Sequence, residues 1–191
     1  MPCHSGCRGP ARIMQTDLNV YFSTIKKKDV PDVSKLACQI WHEHYPGIIS
    51  TAQINYMLQN FYSGDVIQDQ IARGYIWKFL KKDEENIGFF SMYINRGQRM
   101  MHISKLYLKS EYQGQGLGQY MLTHILGIAR KNKFKAITLN VNKKNKKAIK
   151  AYKRFGFEVE ESTVKDIGEG YVMDDFIILM PLDKNENKVT S

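Results

Sequence analysis

The sequence predicts an α/β sandwich in which one twisted, mostly antiparallel sheet of about seven strands carries about four helices. Three observations predict it. Segments with period-two apolar patterning alternate with segments of helical period along most of the chain. Two polar clusters, Asp83-Glu84-Glu85-Asn86 and Asn95-Arg96-Gly97-Gln98, separate consecutive β-rich segments and read as hairpin turns. Apolar residues make up 43% of a 191-residue chain, enough for the core of a single domain.

The elements follow in order from Asp17. Leu18 to Ile25, with Val20, Phe22 and Ile25, is the opening strand. Asp29 or Asp32 can cap a helix that runs toward Trp41 and Tyr45 and is broken by Pro46-Gly47. Ser50-Thr51 opens a second helix, with Ile54, Met57, Leu58 and Phe61 at helical spacing. Strands are expected at Tyr75–Lys81, Ile87–Ile94 and Met101–Leu108. A helix from Leu117 to about Lys131 buries Leu117, Met121, Leu122, Ile125, Ile128 and Ala129 on one side. A strand at Ala136–Val141, a helix over about Asn145 to Arg154, and strands near Glu158–Val164 and Tyr171–Met180 complete the domain.

The domain is expected to span residues 14–182, between an N-terminal extension (1–13) without hydrophobic period and a polar, flexible tail (183–191). Residues 1–13 contain no apolar core of a signal peptide, so a cytoplasmic location is the default expectation. No run of about 20 apolar residues is present, which excludes a membrane-spanning helix. Three cysteines, Cys3, Cys7 and Cys38, are too few for a disulfide scaffold. Neither Cys3-His4-Cys7 nor His42-Glu43-His44 has the further ligands of a metal site, so no metal is expected. The net charge of +9 invites a polyanionic partner: nucleic acid, a membrane surface or a phosphate-rich cofactor. Ten basic residues fall between Lys131 and Arg154, and no acidic residue lies between Glu111 and Glu158.

Most functional information sits between Ile103 and Leu122. A strand leads into Gln113-Gly114-Gln115-Gly116-Leu117-Gly118 and directly into the amphipathic helix. Glycines at such a turn let a ligand approach the backbone, and the free N–H groups of the first helical turn favour phosphate. The glycines do not fit G-x-G-x-x-G, and no Lys-Ser/Thr pair follows as in a P-loop. The turn instead resembles the Arg/Gln-x-x-Gly-x-Gly/Ala signature of the GNAT superfamily of acetyl-CoA-dependent N-acetyltransferases. A second signature of that family follows in Asn145-x-x-Ala148-x-x-x-Tyr152-x-x-x-Gly156-Phe157. The order of elements from Asp17 to Leu182 is similar to the same fold, with some likeness to bacterial polyamine and small-amine acetyltransferases.

The resemblance implies a role for each matching position. Leu106, Tyr107 and Leu108 would offer backbone groups to the pantetheine arm of acetyl-CoA. The main-chain amides of Gln113, Gly114, Gln115, Gly116, Leu117 and Gly118, with Gln119 next, would hold the pyrophosphate. Asn145 would bond the cofactor arm, and Tyr152 would lie near the thioester sulfur. Seven residues rotate about 700° along a helix, so Asn145 and Tyr152 project from one face. A phenol there can protonate the departing thiolate as general acid; the alternatives are a packed aromatic for Tyr152 and a helix cap for Asn145, and a capping Asn145 can also bind the cofactor. Related enzymes place a glutamate on the strand before the glycine turn, where this sequence has Ser104. Strand alternation puts His102 on the same face, and water ordered by Ser104 and His102 is the expected route for the amine proton. Trp41 and Tyr45 are expected in the acceptor pocket, and Asp174 or Asp175 would attract a cationic amine.

The function expected is acetyl transfer from acetyl-CoA to a primary amine by direct attack in a ternary complex. The acceptor would be a small amine or polyamine, or a peptide or protein amine. The alternatives are a coenzyme A-binding regulator without turnover and a basic nucleic-acid-binding module. No nucleic-acid motif accompanies the basic cluster, so nucleic acid is the less favoured partner. A membrane partner is not expected, and a homodimer is left open.

Overall fold

The computed structural model describes residues 19–182. The expectations for residues 1–13 and 183–191, and for Cys3, His4 and Cys7, lie outside the described residues. Seven strands form one sheet in the order β1-β2-β3-β4-β5-β7-β6, and every neighbouring pair is antiparallel except β4–β5. The strands are β1 (Val20–Thr24), β2 (Ile76–Lys82), β3 (Glu85–Asn95), β4 (Met100–Leu108), β5 (Ala136–Asn142), β6 (Glu158–Gly168) and β7 (Tyr171–Pro181). The α-helices are α1 (Val30–His44), α2 (Thr51–Phe61), α3 (Gly64–Ala72), α4 (Leu117–Lys131) and α5 (Lys146–Phe155). Among the described residues, none of these helices is long and apolar enough to cross a membrane.

Among the described residues five α-helices stand where about four were expected, the addition being α3. It is only nine residues long, begins at Gly64 and follows α2 almost directly, so its period has too short a window to stand out; Ile67, fully buried against the α1 side, anchors it. The hairpin between β2 and β3 is tighter than Asp83–Asn86: β3 begins at Glu85, and Asp83 takes φ 51° to close a two-residue turn. Asp29 occupies the N-cap position of α1, but its carboxylate accepts from the Lys26 N–H instead of capping the helix. Ser50 does cap α2, accepting from the Gln53 N–H at 3.1 Å.

The sheet separates two apolar clusters. On one face α4 packs Met121, Leu122 and Ile125 against Phe90, Met101 and Ile137. On the other, α1 and α2 place Val33, Ile40, Trp41 and Ile54 over Trp77, Phe79 and Phe89. Gly88 is required where β3 meets β4, since a Cβ there would lie 2.6 Å from the Tyr107 carbonyl oxygen.

Two irregularities open the sheet at its centre. First, β4 and β5 pair only from Met100↔Ala136 to Ile103↔Leu139, although both strands continue beyond. Parallel neighbours that stop pairing halfway splay apart and leave unpaired backbone along each inner edge. Second, β4 carries a bulge: Met92 faces Ile103 but Ser91 faces Lys105, so Ser104 is the extra residue. The bulge exchanges the faces of the strand. Met101 and Ile103 lie in the α4 cluster, whereas Tyr107 packs with the α1 cluster.

Candidate active site

A cavity of about 890 Å³ occupies the splay and runs from the glycine turn to the α1–α2 side of the sheet. At one end, the turn is shaped by Gly114 (φ 78°) and Gly116 (φ 80°), both left-handed, and Gly116 is the N-cap of α4. Among the described residues, no intramolecular acceptor takes the N–H groups from Gly114 through Gln119. The result is a cluster of free donors at a helix N-terminus, suited to phosphate oxygens. Gln113 departs from the expected pattern: its N–H bonds the Ser110 carbonyl, so it has no main-chain donor to offer. Its side chain is a strut, donating to the Leu108 carbonyl and accepting from Lys147 Nζ at 2.8 Å. Gln115 and Leu117 do not line the cavity with their side chains; Gln115 bonds the Glu111 carbonyl and Leu117 is in the core.

The middle of the cavity is the open edge of β4. Lys109 N–H bonds Ile87, and antiparallel pairs alternate, so Tyr107 also turns its backbone toward β3. Leu106 and Leu108 turn theirs to the splay. Tyr107 therefore contributes its side chain and not the backbone groups expected of it. Its hydroxyl accepts from Tyr62 at 3.0 Å and lies 3.5 Å from that of Tyr45. Burial pushes all three phenols well above their ordinary pKa.

Across the splay, Asn145 caps α5, accepting from the Ala148 N–H at 3.2 Å. Its amide also donates to His44 Nε2 at 3.1 Å, tying the end of α1 to the start of α5. Burial and the nearby Lys147 lower the pKa of His44, which keeps the imidazole neutral and able to accept. Two turns along α5, Tyr152 faces the cavity with its ring edge-on to Phe157, and burial raises its phenol to about 12.

The other end of the cavity holds the remaining candidates. Trp41 and Tyr45, stacked at 4.3 Å, form part of its wall, but Trp41 is only 2% exposed and belongs to the core. Asp175 lines the cavity, and burial first, then Asp174, raises its carboxyl to about 6. Asp174 is absent from the lining; its carboxylate pairs with Lys143 outside. His102 and Ser104 both line the cavity, but the bulge breaks the strict alternation expected to set them in phase. His102 Nδ1 lies 2.9 Å from the Thr138 hydroxyl. Burial and then Lys105 push its pKa down to about 4, which makes it a neutral and weak base at pH 7. Among the described residues, the Ser104 hydroxyl has no hydrogen-bond partner in the protein, and no group of three or more His, Cys, Asp or Glu side chains converges on a metal position.

Lys105 escaped the sequence reading. Its ammonium lies in the same cavity, 4.5 Å from the Tyr62 ring centroid and 5.9 Å from that of Phe61. Burial lowers its pKa to about 8. The sequence signal for it is a Ser-Lys step inside an otherwise apolar strand, where a bulge can swap faces.

Comparison with known proteins places this geometry. Residues 37–157 match the acetyltransferase (GNAT) family. A peptidyl-lysine N-acetyltransferase, YjaB, of Salmonella typhimurium is 29% identical over 108 residues, covering 56% of this chain and 67% of that protein. A spermidine N(1)-acetyltransferase of Thermoplasma acidophilum is 24% identical over 156 residues, 78% of this chain and 94% of that one. Among solved structures, the PaiA N-acetyltransferase of Thermoplasma acidophilum in complex with coenzyme A superposes with a TM-score of 0.75 at 23% identity. That superposition covers 86% of this chain and 100% of the other, and shares the fold.

Proposed function

The chain belongs to the acetyltransferase (GNAT) family, and from that premise we propose that it transfers an acetyl group from acetyl-CoA to a primary amine by direct attack. The observation that carries the proposal is the splay between β4 and β5, with unbonded N–H groups at one end and the Tyr152 phenol in its wall. Its dimensions and donors fit an extended thioester with a pyrophosphate. The free amides of Gly114 to Gln119 would hold the pyrophosphate, assisted by Lys147 and Arg154 on the rim. Leu106 and Leu108 would bond the pantetheine amides as a missing strand would, and Asn145 would close on the arm from the opposite side.

The chemistry divides between two ends of the cavity. An amine entering from the α1–α2 side is mostly ammonium at pH 7 and must lose a proton before it attacks. Asp175 is the carboxylate on that side, and with a pKa of about 6 it is ionised at pH 7 and able to accept that proton. This assigns to Asp175 the role expected of water at Ser104 and His102; Ser104 is left as a group that orders water beside it. The amine nitrogen forms a bond to the carbonyl carbon, the C–S bond breaks, and Tyr152 donates a hydrogen bond and then its proton toward the sulfur.

Incubation of the purified protein with acetyl-CoA and a panel of amines, with free thiol as the readout, tests the proposal. Thiol released in step with an acetylated amine is the expected result. Tight coenzyme A binding without release for any amine would refute turnover and favour a regulator.

A further inference from the structure

The acceptor end of the cavity contains a cation that catalysis at Asp175 and Tyr152 does not use. The β4 bulge places it there. Were the strand regular through Ser104, Lys105 would share the face of Met101 and Ile103 and point into the α4 core. With it, the ammonium emerges among Phe61, Tyr62 and His102 on the acceptor side. Among the described residues, Lys105 makes no ion pair with a carboxylate and donates no hydrogen bond. The groups beside it are the Tyr62 and Phe61 rings and neutral His102; the Tyr45 and Tyr107 phenols and the cation Lys165 line the same cavity, and among the described residues Asp175 is its one lining carboxylate.

A sequestered ammonium without an anion is costly, and aromatic faces offset only part of that cost. A polycationic acceptor would add repulsion. An acceptor carrying its own anion would complete the site, with its amine toward Asp175 and its anion toward Lys105.

Resting on the acetyltransferase reading, we infer that Lys105 is a specificity residue that binds an anionic group of the acceptor, and that the preferred acceptor is a small amine carrying a carboxylate on the same molecule. Free amino acids and short peptides share this chemistry. The Lys105 ammonium, stacked on the Tyr62 ring, keeps its N–H groups for a carboxylate, and Lys165 on the lining of the same cavity adds positive charge.

The test uses matched pairs: single amino acids and dipeptides, each against its C-terminal amide, with spermidine as an amine lacking an anion. Charge-assisted hydrogen bonds to a carboxylate predict that acids exceed their amides in kcat/KM by about tenfold or more, mostly through KM. Whether amino acids or dipeptides lead identifies the source, and either supports the inference. Lys105→Met should reduce the acid-to-amide ratio to about two or less, and Lys105→Arg should keep it. Equal rates for acids and amides in the unaltered protein, or spermidine as the best acceptor, would overturn the inference even if Lys105→Met failed to fold. An absence of thiol release with every amine is a different result, and overturns the acetyltransferase reading on which the inference rests.

Discussion

Replacing Tyr152 by Phe removes one oxygen and leaves the ring, which keeps its edge-on contact with Phe157 at a centroid distance of 5.8 Å. Burial holds the phenol at about 12, whereas a thiol in water titrates near 8.5. Full proton transfer to a solvated thiolate would be uphill by about 3.5 units, or about 5 kcal/mol. Transfer therefore requires a thiolate confined in the same dry wall, where burial raises its proton affinity as well. In that setting the phenol is worth a charge-assisted hydrogen bond plus late proton donation. The expected loss in kcat on Tyr152→Phe is about 10²-fold, with KM for acetyl-CoA changed by less than about threefold. Because a phenol near 12 stays protonated across the working range, the ratio of the two enzymes should be flat between about pH 6.5 and about pH 9.5. Steady-state thiol release across that range measures both quantities. A variant retaining more than about a fifth of kcat, or a ratio that grows with pH as it would for a phenolate base, would refute the reasoning.

Asp175→Asn should abolish the acidic limb of the kcat/KM profile, which in the unaltered protein rises as the carboxylate ionises through about 6. The native carboxyl holds its proton more tightly than an unfolded one, so this group favours folding at low pH and loses that contribution as pH rises through about 6. Asp175→Asn should therefore raise stability at pH 8 by on the order of 1 kcal/mol, read as about 2–4 °C in melting temperature, and an unchanged or lower value would count against burial as the cause. Gly116→Ala places a methyl at φ 80° with nothing within 4 Å of it, so the fold should survive at a cost of roughly 1–2 kcal/mol. KM for acetyl-CoA should rise severalfold in that variant; an unaltered KM would remove the turn from the phosphate site. Gly88→Ala should lower stability in urea by more than about 2 kcal/mol, since its Cβ would meet the Tyr107 carbonyl at 2.6 Å. A shift under half of that would mean that β3 and β4 separate more freely than their pairing implies.

The strands and the long helices were legible because their apolar periods match their burial. Leu117, Met121, Leu122, Ile125 and Ala129 are all buried on one face of α4, and the Asn145 cap sits where the sequence put it. The glycine turn was legible because a left-handed N-cap at Gly116 leaves few residue choices. What escaped depends on relations between distant segments. A nine-residue helix with the single buried anchor Ile67, set directly after α2, is too short for its period to be told apart from that of its neighbour. The pairing of Asp174 with Lys143, 31 residues away, cannot be read from adjacent aspartates of equal standing. The β4 bulge is decided by the register against β3, so simple alternation placed His102 and Ser104 together and left Lys105 out of the site.

The positive surplus of the chain acquires meaning from where those irregularities lie. α5 buries none of its residues fully, and its lysines are mostly a solvated face, yet Lys147 and Arg154 turn to the cavity. They stand beside the turn whose amides are free, at the end suited to phosphate. Lys105 stands at the opposite end, delivered by an unrelated device in β4. If Lys105 binds an anion as inferred, two cationic ends joined by a channel with one carboxylate among the described residues disfavour a polyamine, which would meet positive charge from either direction. On that reading they suit two ligands that each carry an anion at the outer end and meet in the middle, where Asp175 and Tyr152 would accept and donate protons under the proposed mechanism. The order of charges along the cavity, more than its volume, then fixes which way round each substrate enters.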